Sequence, residues 1–203
     1  MNTLEKAHNR CVFQRRVKVL SQWLISLLPM NARVLDVGCG DGLISSLIKQ
    51  KRPDLTINGI DVLIRNKTHV PVSIFDGHCI PYESGSFDAV ILVDVLHHTV
   101  EPNELLQEAK RVSSNSVLIK DHCQDALLAK QTLLFMDWVG NSHQGVALPY
   151  NYWSERQWRE AFGNLDLSVH SWNTRLGLYP WPANLFFERS LHFVAELTCG
   201  THE

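Results

Sequence analysis

The feature that most constrains this chain is a short β-prone run, Arg33-Val34-Leu35-Asp36-Val37, that breaks into glycines at alternate positions, Gly38, Gly40 and Gly42. Glycine lacks a Cβ, so such a loop turns tightly and lets a ligand approach the backbone. The helix expected from Leu43 to Lys49 offers unpaired N–H groups at its start. Strand, glycine turn and helix open an α/β unit. A dinucleotide fingerprint needs its third glycine one residue later, where Leu43 stands, so the spacing argues against a pyrophosphate site and a nicotinamide oxidoreductase.

The rest of the first half keeps this rhythm. Phe13, Val17, Leu20, Leu24 and Leu27 recur at spacings of three and four, predicting an amphipathic helix over Asn9 to Leu28 that stops before Pro29. Its other face carries Arg10, Arg15, Arg16 and Lys18, read as a solvated face in preference to a membrane-lying one. Runs at Leu55 to Asp61, Pro71 to Phe75, Phe87 to Val95 and Ser116 to Lys120 read as strands, the longest nearly continuous in apolar residues, as suits strands buried on both faces. Glu101 to Val112 reads as helix with Pro102 in its first turn. The alternation predicts a doubly wound α/β domain with right-handed crossovers.

Beyond residue 123 the composition shifts. Of 18 aromatic residues, 13 fall between Phe135 and Phe193, so a different kind of packing or a pocket is expected there. The pattern predicts a helix over Gln124 to Val139, a loop over Gly140 to Tyr152, a helix from Ser154 to Phe162, and strands near Leu165 to Thr174 and Leu191 to Leu197 that finish the sheet as an antiparallel pair. No repeat or linker divides the chain. It is read as one domain: an N-terminal helix (1–29), a core (30–122), and acceptor-side helices, lid and final strands (123–203).

Charge excludes some functions. With 19 Lys and Arg against 21 Asp and Glu, the chain lacks the basic footprint of a protein that grips nucleic acid through phosphates. Its cysteines, Cys11, Cys39, Cys79, Cys123 and Cys199, are odd in number, widely spaced and free of Cys-x-x-Cys pairs, which fits reduced thiols in the cytoplasm. No segment is long enough for a membrane span, and no cleavable signal is read at the start.

The run Val34-Leu35-Asp36-Val37-Gly38-Cys39-Gly40-Asp41-Gly42, with the motifs that follow it, resembles the class I S-adenosylmethionine-dependent methyltransferases, particularly the small ubiquinone and menaquinone C-methyltransferase group. The likeness covers roughly residues 30 to 122. It implies a Rossmann-like, seven-stranded, mostly parallel sheet with an antiparallel last strand. It also implies S-adenosylmethionine as cofactor, its methionine portion at Asp36, Gly38, Cys39 and Gly40. Asp61, in Gly59-Ile60-Asp61-Val62, matches the acid that binds both ribose hydroxyls, and Asp76, in Phe75-Asp76-Gly77-His78, the acid at the adenine amino group. Ile80-Pro81-Tyr82-Glu83-Ser84-Gly85-Ser86-Phe87-Asp88-Ala89-Val90 matches the family link into the fourth strand. Val93-Asp94-Val95-Leu96-His97-His98 matches the segment passing the methionine end and the acceptor. Chemistry supports the acids independently, since carboxylates accept from hydroxyls and an exocyclic amine only donates. The chain departs from the family between Asp61 and Val72, where Asn66, Thr68 and Pro71 leave little room for the usual helix. The adenine edge is expected to be open, with Val62 or Leu63 on the adenine face.

Methyl transfer from a sulfonium is an in-line displacement for which positioning supplies much of the acceleration, and a base is needed only if the acceptor loses a proton. His98 and His122 follow the fourth and fifth strands, at the edge where doubly wound sheets bind ligands, and are candidate bases near neutral pH with help from Asp121. Chain spacing does not support a metal site built from His97, His98, His122 and His143, and none is expected. Trp138, His143, Tyr150, Tyr152 and Trp153 are expected to line or cover a pocket for a small apolar or aromatic acceptor, or else to fill a core. Leu178-Tyr179-Pro180-Trp181-Pro182 is read as either a homodimer contact or a lid hinge. Against the enzyme stands a catalytically silent cofactor-binding scaffold or partner protein of the same fold.

Overall fold

The computed structural model describes residues 12–141 and 149–199. Helix α1 (Gln14–Leu27) buries Val17, Leu20 and Leu24, and residues 9–11 of the longer helix expected there lie outside the described residues. The chain leaves the helix at Leu28, ahead of Pro29, and the Arg52 guanidinium donates to the carbonyls of Ile25, Leu28 and Pro29 while paired with Asp54. One side chain thus satisfies carbonyls that the helix end leaves without partners.

Strand β1 (Arg33–Val37) leads through the glycine turn into α2 (Leu43–Lys51), then β2 (Thr56–Asp61) and β3 (Val72–Ile74). The ten residues between Asp61 and Val72 contain no helix, as their shortness required. Strand β4 (Phe87–Val93), helix α3 (Pro102–Val112) and β5 (Ser113–His122) follow. Helix α4 (Ala129–Asn141), α5 (Glu155–Asn164), β6 (Leu167–Asn173), a single turn α6 (Asn184–Phe187) and β7 (His192–Cys199) complete the chain. The seven strands lie in the order β3-β2-β1-β4-β5-β7-β6, and β7 alone runs against its neighbours. The order reverses between β1 and β4, so a crevice opens beyond their carboxyl ends, the place where such sheets take ligands.

Successive residues of the central strands face opposite sides, and both sides are covered. Leu35, Val90, Leu92, Val117 and Ile119 pack with Leu105, Leu106 and Ala109 of α3, whereas Val34, Ala89, Ile91 and Leu118 pack with Leu24 and Ile48. This is why the strands read as unbroken apolar runs. Much of the aromatic half is core: Trp158 lies against Trp153 and Phe193, and Trp172 stacks on Phe193 at 4.0 Å. Leu178 and Tyr179 are also buried, while Trp181 is 79% exposed.

Several boundaries differ from expectation. Strand β4 ends at Val93 because Asp94 turns into the left-handed region, φ 57°. Strand β5 runs from Ser113 to His122, longer than Ser116 to Lys120, because β7 pairs along it as far as His122 with His192. Helix α4 starts at Ala129 and not Gln124. The Gln124 amide donates to the Trp153 carbonyl, and the Asp125 carboxylate is held by the Glu155 amide. No helix among the described residues is long and apolar enough to cross a membrane.

Candidate active site

The glycine turn is fixed from below and open above. The amides of Gly38 and Cys39 both donate to the Ile60 carbonyl, at 2.8 and 3.2 Å. Gly38 adopts φ 69°, and a Cβ there would lie 2.6 Å from Val95 Cγ2, so only glycine fits. Gly40, at φ 61°, is the opposite case: a Cβ there would meet nothing within 4 Å, and its backbone faces open space.

Asp61 ends β2 nearly buried, its carboxylate accepting from the Gly40 amide at 2.8 Å and the Leu63 amide at 2.9 Å. Each oxygen keeps a lone pair, enough to receive a hydroxyl apiece from a vicinal diol. Asp76 follows β3 on the surface and accepts from the His78 and Cys79 amides through Oδ1, which hold its pKa low and leave Oδ2 without a backbone donor in that turn. Gly77 beside it has φ 86°. Val62, Leu63 and Ile64 are exposed between the two acids, forming the apolar, open edge expected of an adenine face. Asp36 sits beneath the loop, bonded by the Ser45 hydroxyl at 2.6 Å, and burial raises its pKa to about 7 against that bond. Burial also pushes the Cys39 thiol up, so it is not a nucleophile. An open glycine backbone flanked by a diol-compatible and an amine-compatible carboxylate fits S-adenosylmethionine, whereas Asp36 is buried beneath the loop against Ser45.

Across the crevice, the ends of β4, β5 and β7 converge on a buried polar cluster. Asp94 receives an ion pair from Lys120 and another from Arg16 at 3.1 Å. Burial acts to raise its pKa, and the two cations overcome that effect and hold it well below the usual carboxylate range. Lys120 is fully buried, which lowers its own pKa, and lies 3.4 Å from His192 Nδ1. Asp94, next to Val93, therefore faces cations of its own chain.

The candidate bases are differently placed from expectation. Asp121 serves neither His98 nor the His122 ring. It holds His97 Nδ1 at 2.6 Å and accepts from the Leu96 and His122 amides. Asp121 outweighs the effect of burial and raises the His97 pKa. His98, half-buried, is pushed down to about 4 by burial and by His97. His122, 3% exposed, is driven well below the ordinary histidine value by burial and by Lys120, His97 and His192. Neither titrates near neutral pH. Both are neutral imidazoles that can accept a hydrogen bond but hold a proton weakly.

Tyr152 is buried, with its hydroxyl on Asp137 and its ring stacked on Tyr150, whose own ring lies 6.1 Å away and 41% exposed. Tyr150 also meets His98 at 6.2 Å. Trp138 is not part of the core: it stands 65% exposed beside Phe135, and its neighbour Asp137 turns inward. Trp153 belongs to the core with Trp158. His143 lies outside the described residues. Asp137, Lys120 and His192 were not singled out from sequence, and Arg16, read as part of a solvated helix face, turns instead to Asp94. The available signals were the polar triplet Lys120-Asp121-His122 closing an apolar strand and a lone acid in the apolar run Leu133-Leu134-Phe135-Met136-Asp137-Trp138.

A family model described as a methyltransferase domain matches residues 6–171, and the chain belongs to that family. Its fold is that of the class I S-adenosylmethionine-dependent methyltransferases, and S-adenosylmethionine is the cofactor of that class. The protein paired with the Trm112 methyltransferase activator of Haloferax volcanii is similar in structure, with TM-score 0.70 and 14% identity over 98% of this chain and 94% of that one. A protein from Pyrococcus horikoshii gives 0.69 and 16% over 93% and 91%. The magnesium protoporphyrin IX methyltransferase of Synechocystis, with S-adenosylhomocysteine bound, gives 0.63 and 16% over 98% and 89%. In sequence the chain is 36% identical over 89 residues to an uncharacterized 37.1 kDa protein of a Streptomyces fradiae transposon, covering 38% of this chain and 26% of that protein's length.

Proposed function

We propose that the chain is an enzyme that methylates an oxygen, carbon or nitrogen of a small apolar or aromatic acceptor and works in the cytoplasm. One observation carries this reading: the glycine loop with Asp61 and Asp76, and the cluster of His97, His98 and His122, face the same carboxyl edge of the sheet. S-adenosylmethionine, when bound, supplies a methyl on a sulfonium whose departing sulfur is neutral.

Asp36, Gly38, Cys39 and Gly40 would hold its methionine portion, Asp61 the ribose, and Asp76 with Gly77 the adenine amine, with Val62 on the ring and Val93 and Asp94 flanking the methyl. Tyr150 and Tyr152 offer flat faces to an acceptor, and covering aromatic surface keeps water from the transfer. His98, the more accessible imidazole, orients an acceptor O–H or N–H by accepting its hydrogen bond, with His122 behind it. Four free cysteines among the described residues agree with a reducing compartment.

The test is transfer of labelled methyl from S-adenosylmethionine to a panel of hydroxylated and aromatic metabolites. Saturable transfer to a member of the panel is expected. Bound cofactor with no transfer to any acceptor would favour the silent scaffold.

A further inference from the structure

We propose that His97, His98 and Asp137 form a binding site for one divalent transition-metal ion, such as Zn2+, that activates an acceptor hydroxyl. One potential ligand atom from each of the three residues lies within 4.8 Å of the other two. His97 Nε2 is 3.6 Å from Asp137 Oδ2. A tetrahedral ion with bonds of about 2.1 Å has ligand-to-ligand edges of about 3.4 Å, so this pair is already spaced for a shared cation.

Two observations independent of that spacing point to a ligand. His97 is 1% exposed, its Nδ1 is taken by Asp121, and its Nε2 has no hydrogen-bond partner among the described residues. A carboxylate on one ring nitrogen fixes the tautomer that leaves the other with a lone pair, the usual support of a metal-bound histidine. His98 Nδ1 is likewise buried and without a partner. Asp137 is the other anomaly, a buried acid that meets only the Tyr152 hydroxyl and His97 and has no Lys or Arg ion pair among the described residues. His97, when protonated, pairs with this acid, and a divalent ion would take the place of that proton between them.

The donor set of two imidazoles and one carboxylate suits borderline divalent ions, not Mg2+ or Ca2+, which prefer all-oxygen shells. A second trio, Asp94, His97 and His122, has similar spacing. Its acid already carries Lys120 and Arg16, which would repel a third cation. Three protein ligands leave a coordination position open, and half-buried His98 and exposed Tyr150 mark the accessible side. An acceptor hydroxyl oxygen bound there gives its proton to water at a lower pKa and keeps the electron pair that the methyl transfer needs. With the ion bound, His98 gives its lone pair to the metal in place of the acceptor, the ion does what two weakly basic histidines cannot, and the acceptor is of the hydroxyl class. This role rests on the methyltransferase reading, whereas the site itself does not.

The experiment uses untagged protein stripped with chelator and titrated with Co2+, followed by its visible absorption, with S-adenosylhomocysteine titrated into the same preparation. One Co2+ per chain with nitrogen and oxygen ligand-field bands is expected, displaced by Zn2+. His98→Ala and Asp137→Asn, each confirmed folded by its melting curve, should weaken binding at least ~10-fold. No stoichiometric Co2+ binding, thiolate charge-transfer bands, or undiminished binding in either folded variant would overturn the site. S-adenosylhomocysteine binding without Co2+ binding would leave the methyltransferase standing and remove the ion. The converse would keep the ion and remove the cofactor reading.

Discussion

Asp61 does two jobs with one carboxylate: it ties the glycine loop to β2 through the Gly40 and Leu63 amides and keeps a lone pair on each oxygen for a diol. Asp61→Ala should therefore weaken S-adenosylhomocysteine binding by about 3 kcal/mol or more, from two charge-assisted hydrogen bonds of roughly 1.5–3 kcal/mol each. Calorimetry of the variant checks this, and unchanged affinity would contradict the ribose assignment. Asp36 carries a pH signature. Its folded pKa is raised by burial from 3.8 to about 7, so between those values the folded chain holds a proton that the unfolded chain has released. The stability this contributes is fully present below pH ~4 and is lost as pH rises to about 7. Asp36→Asn removes the dependence, so denaturant unfolding should show the variant gaining on the wild type up to about pH 7 and holding level above it. The acids and glycines could be singled out because their signal is local in the sequence. His97 as the oriented imidazole was not, because it lies in the turn after β4 while Asp121, which orients it, sits on β5.

At the scale of elements, the turn between β1 and α2 separates packing from binding. Gly38→Ala places a Cβ against Val95 and should lower the melting temperature. Gly40→Ala shares the strain of a left-handed backbone, φ 61°, but meets no atom within 4 Å, so it should lower melting less than Gly38→Ala while weakening S-adenosylhomocysteine binding, since its Cβ would stand in the open face. Comparing melting curves and titrations of the two variants checks both expectations. Helix α5 opens with a capping box in which Ser154 and Gln157 exchange hydrogen bonds, so Ser154→Ala should cost about 1 kcal/mol in urea unfolding without touching the site. The sequence marked α5 closely because Ser154 announces its start. It misplaced the ends of β5 and α4 for a physical reason: Lys120, Asp121 and His122 are polar yet buried, so the strand continues where apolar periodicity stops. Gln124 and Asp125 are held by contacts with Trp153 and Glu155 that no local pattern encodes.

The whole molecule divides along its sheet. Strands β3 to β4 carry the edge that the proposed function assigns to the cofactor, marked in the sequence by ordered motifs. The ends of β4, β5 and β7, with α1 and α4, carry the buried charged cluster, assembled from Arg16, Asp94, Lys120, Asp137 and His192, residues spread over most of the chain. The concentration of aromatics marked this half as different, but could not separate the core role of Trp158 and Trp172 from the exposed Trp138 and the stacked Tyr150 and Tyr152. The most direct test of the central claim is calorimetric titration of the folded chain with S-adenosylhomocysteine beside NADH. Saturable one-to-one binding of S-adenosylhomocysteine and none of NADH is predicted. Binding of NADH, or a folded chain that takes up no S-adenosylhomocysteine, would contradict the assignment of the glycine loop, Asp61 and Asp76.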